Sequence, residues 1–497
     1  MNNKKSLIFI LLFICFYGYA NDSEDIQVYL SSELLPGSSI WYSKPPDQSK
    51  IKYKLDKQES LRWNKIKNNN DLTITINSKI TYQSVLGIGT SLEATTLYAI
   101  SKGKTEEQIR DILTLLIDPK NGLGFNMFRI TIGTSDFSDG RNVSSHPKGF
   151  YTYQDDIENF SIDLDKKTGI IKILRLVQQV AANLDPPQSI IFFAAPWSPP
   201  AWMKTSEKLI GGTLKKGYEK QLAEYLRRFI EAYQNEGIPI YAISTQNEPN
   251  FIPNNYPGMK LSAKQQLDLA IATYEEFHHI DKPEIHTKIW LNDHNFEDWV
   301  NADFILNQLK KYGKQYYVSG TAFHNYTDYP VSYMSDLHNN HPEHEIIFTE
   351  HSEWGISGMY NIQSYFWNWS RSYMYWVTMT THDLDEYNQG PYNNLTELSP
   401  TLLIEKPDEP HAWYTTPEFY LLGHFSKFIR PGAYRIDCNK GNTKELSFVA
   451  FKNNDGGIVL IATNQTEIEQ HFTFLFNNRS SSTSVPPKSI ASYLWKE

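Results

Sequence analysis

Residues 238–250 read IPIYAISTQNEPN, an apolar run that ends abruptly in Gln246, Asn247, Glu248 and Pro249. A continuous apolar run, rather than an alternating one, suits a strand buried on both faces. The same theme recurs along the chain from residue 84. Before this stretch come SVLGIGTSLEA (from Ser84), FNMFRITIGTSDFS (from Phe125) and SIIFFAAPWSPP (from Ser189). After it come IHTKIWLNDHN (from Ile285), GTAFHNYTDY (from Gly320), EIIFTEHSEW (from Glu345) and YMYWVTMTTHD (from Tyr373). Amphipathic helices lie between several of them. EKQLAEYLRRFIEAYQNEG, from Glu219, sets Leu222, Tyr225, Leu226, Phe229, Ile230 and Tyr233 at helical spacing. Ser262 is placed to cap AKQQLDLAIATYEEFHHI. Eight alternations of strand and helix predict an α/β fold, a (β/α)8 TIM barrel with its active residues at the C-terminal strand ends. The competing arrangement is an open doubly wound sheet, but no G-x-G-x-x-G follows the first strand.

The flanks differ in character. Residues 21–80 contain DIQVYLSS and DLTITINSKITY, and residues after 430 read ELSFVAFKNNDGGIVLIATNQTEIEQHFTFLF and SIASYLWKE. Asn-Asp-Gly-Gly between two apolar runs predicts a hairpin. The expected organisation is an N-terminal β segment over 21–80, a catalytic barrel over 81–429 and a β domain over 430–497. Both chain ends would build one attached β-sandwich. Residues 1–20, MNNKKSLIFILLFICFYGYA, place Lys4 and Lys5 before an apolar run from Leu7 to Phe16, then Gly18 and Ala20. That pattern predicts a signal peptide cleaved after Ala20 and a secreted, soluble mature chain. The run is shorter than the roughly 20 residues a spanning helix needs. Cys438 would then be the one remaining cysteine, so stability must come from the core rather than from disulfides.

Composition narrows the partners. Net charge is −9 over 497 residues and no long basic block is present, which argues against nucleic acid. Aromatic residues make up 14% of the chain. Their flat faces and polar edges suit stacking against sugars, although rings also fill ordinary cores.

Two strand ends deliver carboxylates with suitable neighbours: Glu248 in TQNEP on the fourth strand and Glu350 in FTEH on the seventh. These strands lie across a barrel mouth, so the carboxyls can face each other. Retaining glycoside hydrolysis needs two carboxyl groups about 5 Å apart, one a nucleophile and one an acid/base. Asn247, beside Glu248, can hydrogen-bond a sugar hydroxyl. Asp136, Trp197, His324 and Tyr326 fall at other strand ends, where a substrate would lie. Arg129, inside the second strand, needs a carboxylate partner if buried, and is expected to keep Glu350 ionised. The acid/base Glu248 is expected to have a raised pKa. Glu353 is a rival nucleophile, placed by its position in the loop after the strand. A zinc site at His338, His341, His344 and Glu345 is the rival chemistry, but its spacing does not match H-E-x-x-H, and no G-x-S-x-G elbow is present. No cofactor or metal is expected.

GIGTSLEA, FNMFRITIGTSDFS, APWSPPAWMKT, QNEP, FTE and FYLLGHFSKFIRPGAYRI together resemble glycoside hydrolase family 30, the family of the glucosylceramidases. The resemblance runs in order through most of residues 72–497. Residues 21–71 lie outside it, and the N-terminal cysteines of the animal enzymes are absent. It implies a barrel with an attached β-sandwich, hydrolysing β-linked sugars with retention and without a cofactor. It also implies Glu248 as acid/base, Glu350 as nucleophile, and Asp136, Trp197 and Asn247 as sugar ligands. Arg129, His324 and Tyr326 would support the carboxylates. The sequence departs from the family at the end of strand eight, where glucosylceramidases carry a Trp-Asn pair and this chain has Thr380 and Thr381. His382, Asp383 or Asp385 would then offer polar contacts instead.

The leading expectation is a secreted retaining β-glycosidase acting on β-glucosides, glucosylceramide foremost. One alternative keeps the mechanism and changes the substrate to a β-linked polysaccharide or another β-glycoside. A third reading is a sugar- or lipid-binding protein without turnover. A glycosphingolipid substrate would be met at a membrane surface, and the loop FIPNNYPGM offers Phe251, Ile252, Tyr256 and Met259 for that contact.

Overall fold

Eight short parallel strands form the centre: β1 (Gly87–Ser91), β2 (Met127–Thr131), β3 (Ile191–Ala195), β4 (Ala242–Ser244), β5 (Lys288–Asn295), β6 (Gly320–His324), β7 (Glu345–Glu350) and β8 (Ser372–Tyr375). The computed structural model describes residues 25–33, 51–66, 72–138, 150–381, 401–406, 409 and 411–497. The signal-peptide reading of residues 1–20 therefore lies outside the described residues, as do His382, Asp383 and Asp385. Strands β1 to β7 pair in sequence, and β8 pairs back onto β1. Between β7 and β8 backbone and side-chain bonds share the join: the Arg371 N–H donates to the Ile346 carbonyl at 2.9 Å and the His351 N–H to the Met374 carbonyl at 3.3 Å. The Phe348 N–H donates to Ser372 Oγ at 3.1 Å, and that hydroxyl donates to the Phe348 carbonyl at 2.9 Å. This closes the barrel.

Each of the eight predicted runs supplies one strand, and all are lined by buried residues. The first begins later than the sequence suggested. Ser84 ends a long outer strand, Leu72–Ser84, and β1 starts at Gly87. Between them Leu86 donates its N–H to the Arg371 carbonyl at 2.7 Å, entering the barrel beside β8. At Gly89 a Cβ would lie 1.7 Å from the Met127 carbonyl oxygen, so β1 and β2 approach as closely as they do only because that position is glycine.

The two helices read from the sequence form as expected. Glu219–Asn235 buries all six of its predicted apolar residues, and Ala263–Phe277 is capped by Ser262, whose Oγ accepts the Gln265 N–H at 3.3 Å.

Outside the barrel, strands from both chain ends build a β-sandwich. Asp25–Ser32 lies antiparallel to Ser489–Lys496, and the predicted hairpin pairs Leu446–Lys452 with Gly457–Asn464. The strand Leu72–Ser84 belongs to both layers: Leu72–Thr75 pair with Phe472–Leu475, and Ile76 onward pairs with Tyr434–Cys438. Ile26, Ile74, Phe448, Phe472, Phe474 and Trp495 fill the space between the layers.

His424, on the helix Pro417–Ser426, ties the sandwich to the barrel. Its Nδ1 lies 2.8 Å from Ser492 Oγ and its Nε2 lies 2.9 Å from Ser31 Oγ, so one imidazole joins strands from the two ends of the chain. Burial pushes its pKa down to about 3. The unfolded chain therefore takes up this proton first, near the ordinary His value of about 6.5. The neutral ring's contribution to stability is full above about pH 6.5 and is lost as pH falls toward 3. In chemical denaturation, a His424→Gln variant should show a shallower loss of stability between pH 6.5 and 4 than the parent, by up to about 1.4 kcal/mol per pH unit. Equal slopes would contradict the assignment.

Candidate active site

At the C-terminal end of the barrel, Arg129 from β2 meets Asp293 from β5. Both are fully buried, with Arg129 Nη2 3.0 Å from Asp293 Oδ2. Asp293 owes its position to a kink in β5. Asn292 and Asp293 take left-handed φ values of 68° and 54°, and the register against β6 shifts between Asn292 and His294. Asn and Asp tolerate that backbone best among residues with a Cβ. Asp293 also accepts hydrogen bonds from Ser244 Oγ at 2.7 Å, Thr349 Oγ1 at 2.7 Å and His324 Nε2 at 3.0 Å. Burial pushes its carboxyl up, but Arg129 and His324 outweigh burial and hold it below the usual carboxylate range.

The two predicted carboxylates sit on either side of this pair. Glu248 has φ 46° and donates its N–H to the Asp293 carbonyl at 3.0 Å, which turns its side chain off the strand end. Its Oε1 lies 3.3 Å from His324 Nδ1. Glu350 Oε2 lies 3.0 Å from Arg129 Nη1, and its Oε1 accepts the Tyr326 hydroxyl at 2.8 Å. Tyr326 is itself held by its N–H on Asn295 Oδ1 at 2.7 Å. Asn247 Oδ1 accepts from Arg129 Nη2 at 2.6 Å. Single ligand atoms of Glu248, His324 and Glu350 all fall within 4.8 Å of one another.

Nδ1 of His324 faces Glu248, and Nε2 lies between Asp293 at 3.0 Å and Arg129 Nη1 at 3.2 Å. Burial pulls the ring's pKa down, but the charge of Glu350 and the bonds to Asp293 and Glu248 raise it to about 9. The two glutamates depart from expectation. Burial pushes Glu350 up, against the pull of His324 and Arg129, and the charge of Glu248 adds to the rise. Arg129 is shared with Asp293 and does not by itself keep Glu350 low. Burial also pushes Glu248 up, but the hydrogen bond and charge of His324, then His294 and Arg129, bring it below the ordinary value. The two carboxyls are therefore shifted in opposite directions, Glu350 up and Glu248 down.

Asp136 lies in the loop after β2. Burial, then the charges of Glu350 and Glu248, push its carboxyl well above the ordinary range. Trp197 is buried beneath the site with the Arg129 guanidinium 5.1 Å from its ring. Strand eight does supply an indole, earlier than the family pattern suggested. Trp376, directly after β8, stacks on Trp197 at 5.4 Å and lies 5.7 Å from the Arg129 guanidinium. Thr380 and Thr381 are buried, and Thr380 pairs into a small sheet with Leu403–Glu405.

Arg129, Asn247, Glu248, His324, Tyr326 and Glu350 are thus joined by direct contacts, with Trp197 packed on Arg129 and Asp136 in the field of both glutamates. Asp293 and Trp376 were missed. Both stand inside strand-end stretches already recognised, in LNDHN and YMYWV, and a polar or aromatic residue ending a buried strand was the signal.

The rival chemistries do not assemble. Glu353 lies in the loop after β7, as read, but is buried and bonded to Tyr365, His351 at 3.0 Å and Asn361 at 3.0 Å. His341 pairs with Asp303 and His344 with Thr321, while Glu345 faces Lys288 and Arg371. Among the described residues the one group able to converge on a metal ion is Glu248, His324 and Glu350. There a cation would meet Arg129 and a doubly protonated imidazole. In the loop after Glu248, Phe251 and Ile252 are about half exposed, Tyr256 is partly buried against the site and Met259 is buried. No helix among the described residues is long and apolar enough to cross a membrane.

Replacing Asp293 by Asn would remove one of the two carboxylates that face the buried Arg129 and leave only Glu350. Chemical denaturation should show a loss of about 3–5 kcal/mol, and imidazole NMR should show His324 losing its proton at lower pH than about 9. Unchanged values for both would contradict the central position of this pair.

Residues 86–429 match the glycosyl hydrolase family 30 TIM-barrel domain, and residues 432–493 match the β-sandwich domain of the same family. The chain is 29% identical over 425 residues to a putative glucosylceramidase 2 of Caenorhabditis elegans, covering 79% of this chain and 77% of that one. It is 25% identical to an endo-1,6-beta-D-glucanase of Aspergillus fumigatus, covering 85% and 87%. A solved endo-beta1,6-glucanase superposes with a TM-score of 0.77 at 25% identity, covering 95% of this chain and all of that one. With a barrel, a sandwich and facing carboxylates in one chain, the protein belongs to glycosyl hydrolase family 30 and is a glycosidase.

Proposed function

We propose that this chain hydrolyses β-glucosides with retention, Glu350 acting as nucleophile and Glu248 as acid/base. The observation that carries the reading is the approach of the two carboxyls, an oxygen of each within 4.8 Å of the other. Inversion needs room for a water between them, with carboxyls roughly 6.5–9.5 Å apart. In the first step a Glu350 oxygen bonds to the anomeric carbon, the bond to the leaving oxygen breaks, and that oxygen takes the proton of Glu248. In the second, water gives a proton to Glu248 and its oxygen to the anomeric carbon, releasing Glu350. The starting proton must then lie on Glu248. Positive charge developing at the sugar ring favours an anionic Glu350, and a leaving oxygen near Glu248 favours its acid form. Asn247 commits its Oδ1 to Arg129, which leaves its NH2 to donate to a sugar hydroxyl. Asp136 supplies a further hydrogen bond to the same sugar.

Relatives named as glucosylceramidases and as endo-1,6-glucanases share one feature of the scissile bond. In a β-1,6-glucan the leaving oxygen is on C6 of the next glucose, and in glucosylceramide it is on C1 of ceramide. Both are oxygens on primary carbons. A β-glucosyl unit on a primary alcohol is therefore the substrate class proposed here. The exposed Phe251 and Ile252 beside Glu248 favour the lipid among these, met at a membrane surface after secretion through the segment Met1–Ala20.

Purified protein should release glucose from β-1,6-linked gluco-oligosaccharides or from glucosylceramide in detergent at least about 10-fold faster, in kcat/KM, than from β-1,3- or β-1,4-linked ones. NMR of the first product should show the β anomer. Glu248→Gln should lower kcat on these substrates by about 10²–10⁴-fold. A first-formed α anomer would overturn retention, and equal rates on secondary-alcohol linkages would overturn the substrate class. If the lipid is the substrate, Phe251→Ser/Ile252→Ser should lower activity on vesicle-borne glucosylceramide and spare soluble glucosides. Equal activity on vesicles would remove the membrane role of this loop.

A further inference from the structure

Lys204, in the loop after β3, is fully buried, and no carboxylate among the described residues forms an ion pair with it. Its ammonium instead donates to three oxygens from three places in the chain: Ser198 Oγ at 2.8 Å, the Leu209 carbonyl at 2.6 Å and the Gly258 carbonyl at 2.8 Å. Ser198 follows Trp197. Leu209 is near the tip of a hairpin in which Thr205 bonds Thr213 at 2.9 Å. Gly258 lies in the loop that starts at Glu248.

These three segments are knitted together around the ammonium. Gly258 donates its N–H to Leu209 at 3.1 Å, Lys260 donates to Gly212 at 3.0 Å, and Leu261 closes the loop onto Pro249 at 2.7 Å. At the start of the same loop, Phe251 donates its N–H to the Glu248 carbonyl at 2.9 Å. A Cβ on Gly258 would meet the Pro253 ring at 2.3 Å, so the loop is packed tightly on itself. A buried ammonium without a carboxylate is costly unless every N–H is satisfied, and here all three are.

We propose that Lys204 is a positioning residue for the leaving-group side of the active site, its ammonium holding the loop 249–261 against the hairpin 204–214 and the Trp197 segment. The inference rests on the reading of Glu248 as the acid. The loop begins directly after Glu248 and so borders the acid that protonates the leaving oxygen, whereas Asp136 and the Arg129 cluster lie on other elements. Loss of the ammonium should therefore act on the leaving group and leave the glucosyl side intact.

Burial alone pulls the Lys204 ammonium down to about 7. The charged groups on the segments around it point away: Glu207 pairs with Lys215 at 3.0 Å, and Lys208 and Lys260 are exposed. A neutral amine keeps two donors for three acceptors, so the clamp weakens as pH rises through 7.

The test compares kcat/KM for an aryl β-glucoside, whose leaving group is small and needs little proton assistance, with kcat/KM for a β-1,6-linked gluco-oligosaccharide and for glucosylceramide. In Lys204→Met the value for whichever natural-type substrate is turned over should fall at least about 10-fold, and the aryl value by less than about 3-fold. Equal losses on both substrate types would overturn the proposal. If Lys204→Met does not fold, Ser198→Ala, which removes one of the ammonium's three acceptors, should lower the natural-type value more than the aryl value, and an unchanged ratio of the two would overturn the proposal. Absence of turnover on every substrate by the parent would instead overturn the proposed function.

Discussion

Arg129 reaches across the barrel from β2 to Asp293 on β5, and neither side chain touches solvent. A buried pair of this kind repays its desolvation only when its remaining donors and acceptors are satisfied. Here those remaining bonds are the active site. Arg129 shares Nη2 between Asp293 and Asn247 and turns Nη1 to Glu350 and the Thr349 carbonyl, and Asp293 accepts further from Ser244, His324 and Thr349. His324 then carries the network on to Glu248. Glu248 and Glu350 are thus both tied to one buried charge pair.

The barrel makes this convergence possible. Seven of its eight strands contribute to the cluster or its walls, and each ends at the same face. Glycine at position 89 lets β1 sit close to β2, and the Ser372 hydroxyl completes the join between β7 and β8.

Much of this was legible in the sequence because burial on both faces leaves an apolar run, and a run that stops at Gln-Asn-Glu-Pro or Thr-Glu marks where a strand meets the site. Arg129 and Glu350 were found in this way and do form an ion pair. Asp293 was harder to see, because its role depends on two left-handed residues inside β5, a backbone feature without a turn signature in LNDHN. The expected direction of the glutamate pKa shifts failed for a related reason. Arg129 as a partner of Glu350 could be anticipated, but not that Asp293 shares it or that His324 carries a proton beside Glu248. The strand-eight wall was sought at Thr380 by analogy of spacing, while the indole that packs on Trp197 is Trp376, four residues earlier.

The most direct measurement is to trap the covalent intermediate. A 2-deoxy-2-fluoro-β-glucoside with a good leaving group destabilises the oxocarbenium-like transition states of both steps, and the leaving group keeps the first step fast enough for the glycosyl-enzyme to accumulate. Digestion and mass spectrometry should place the fluoroglucosyl group on the peptide that contains Glu350, with fragmentation assigning it to that side chain. A label on Glu353 or Glu248, or steady turnover to an α product with no label at all, would contradict the account.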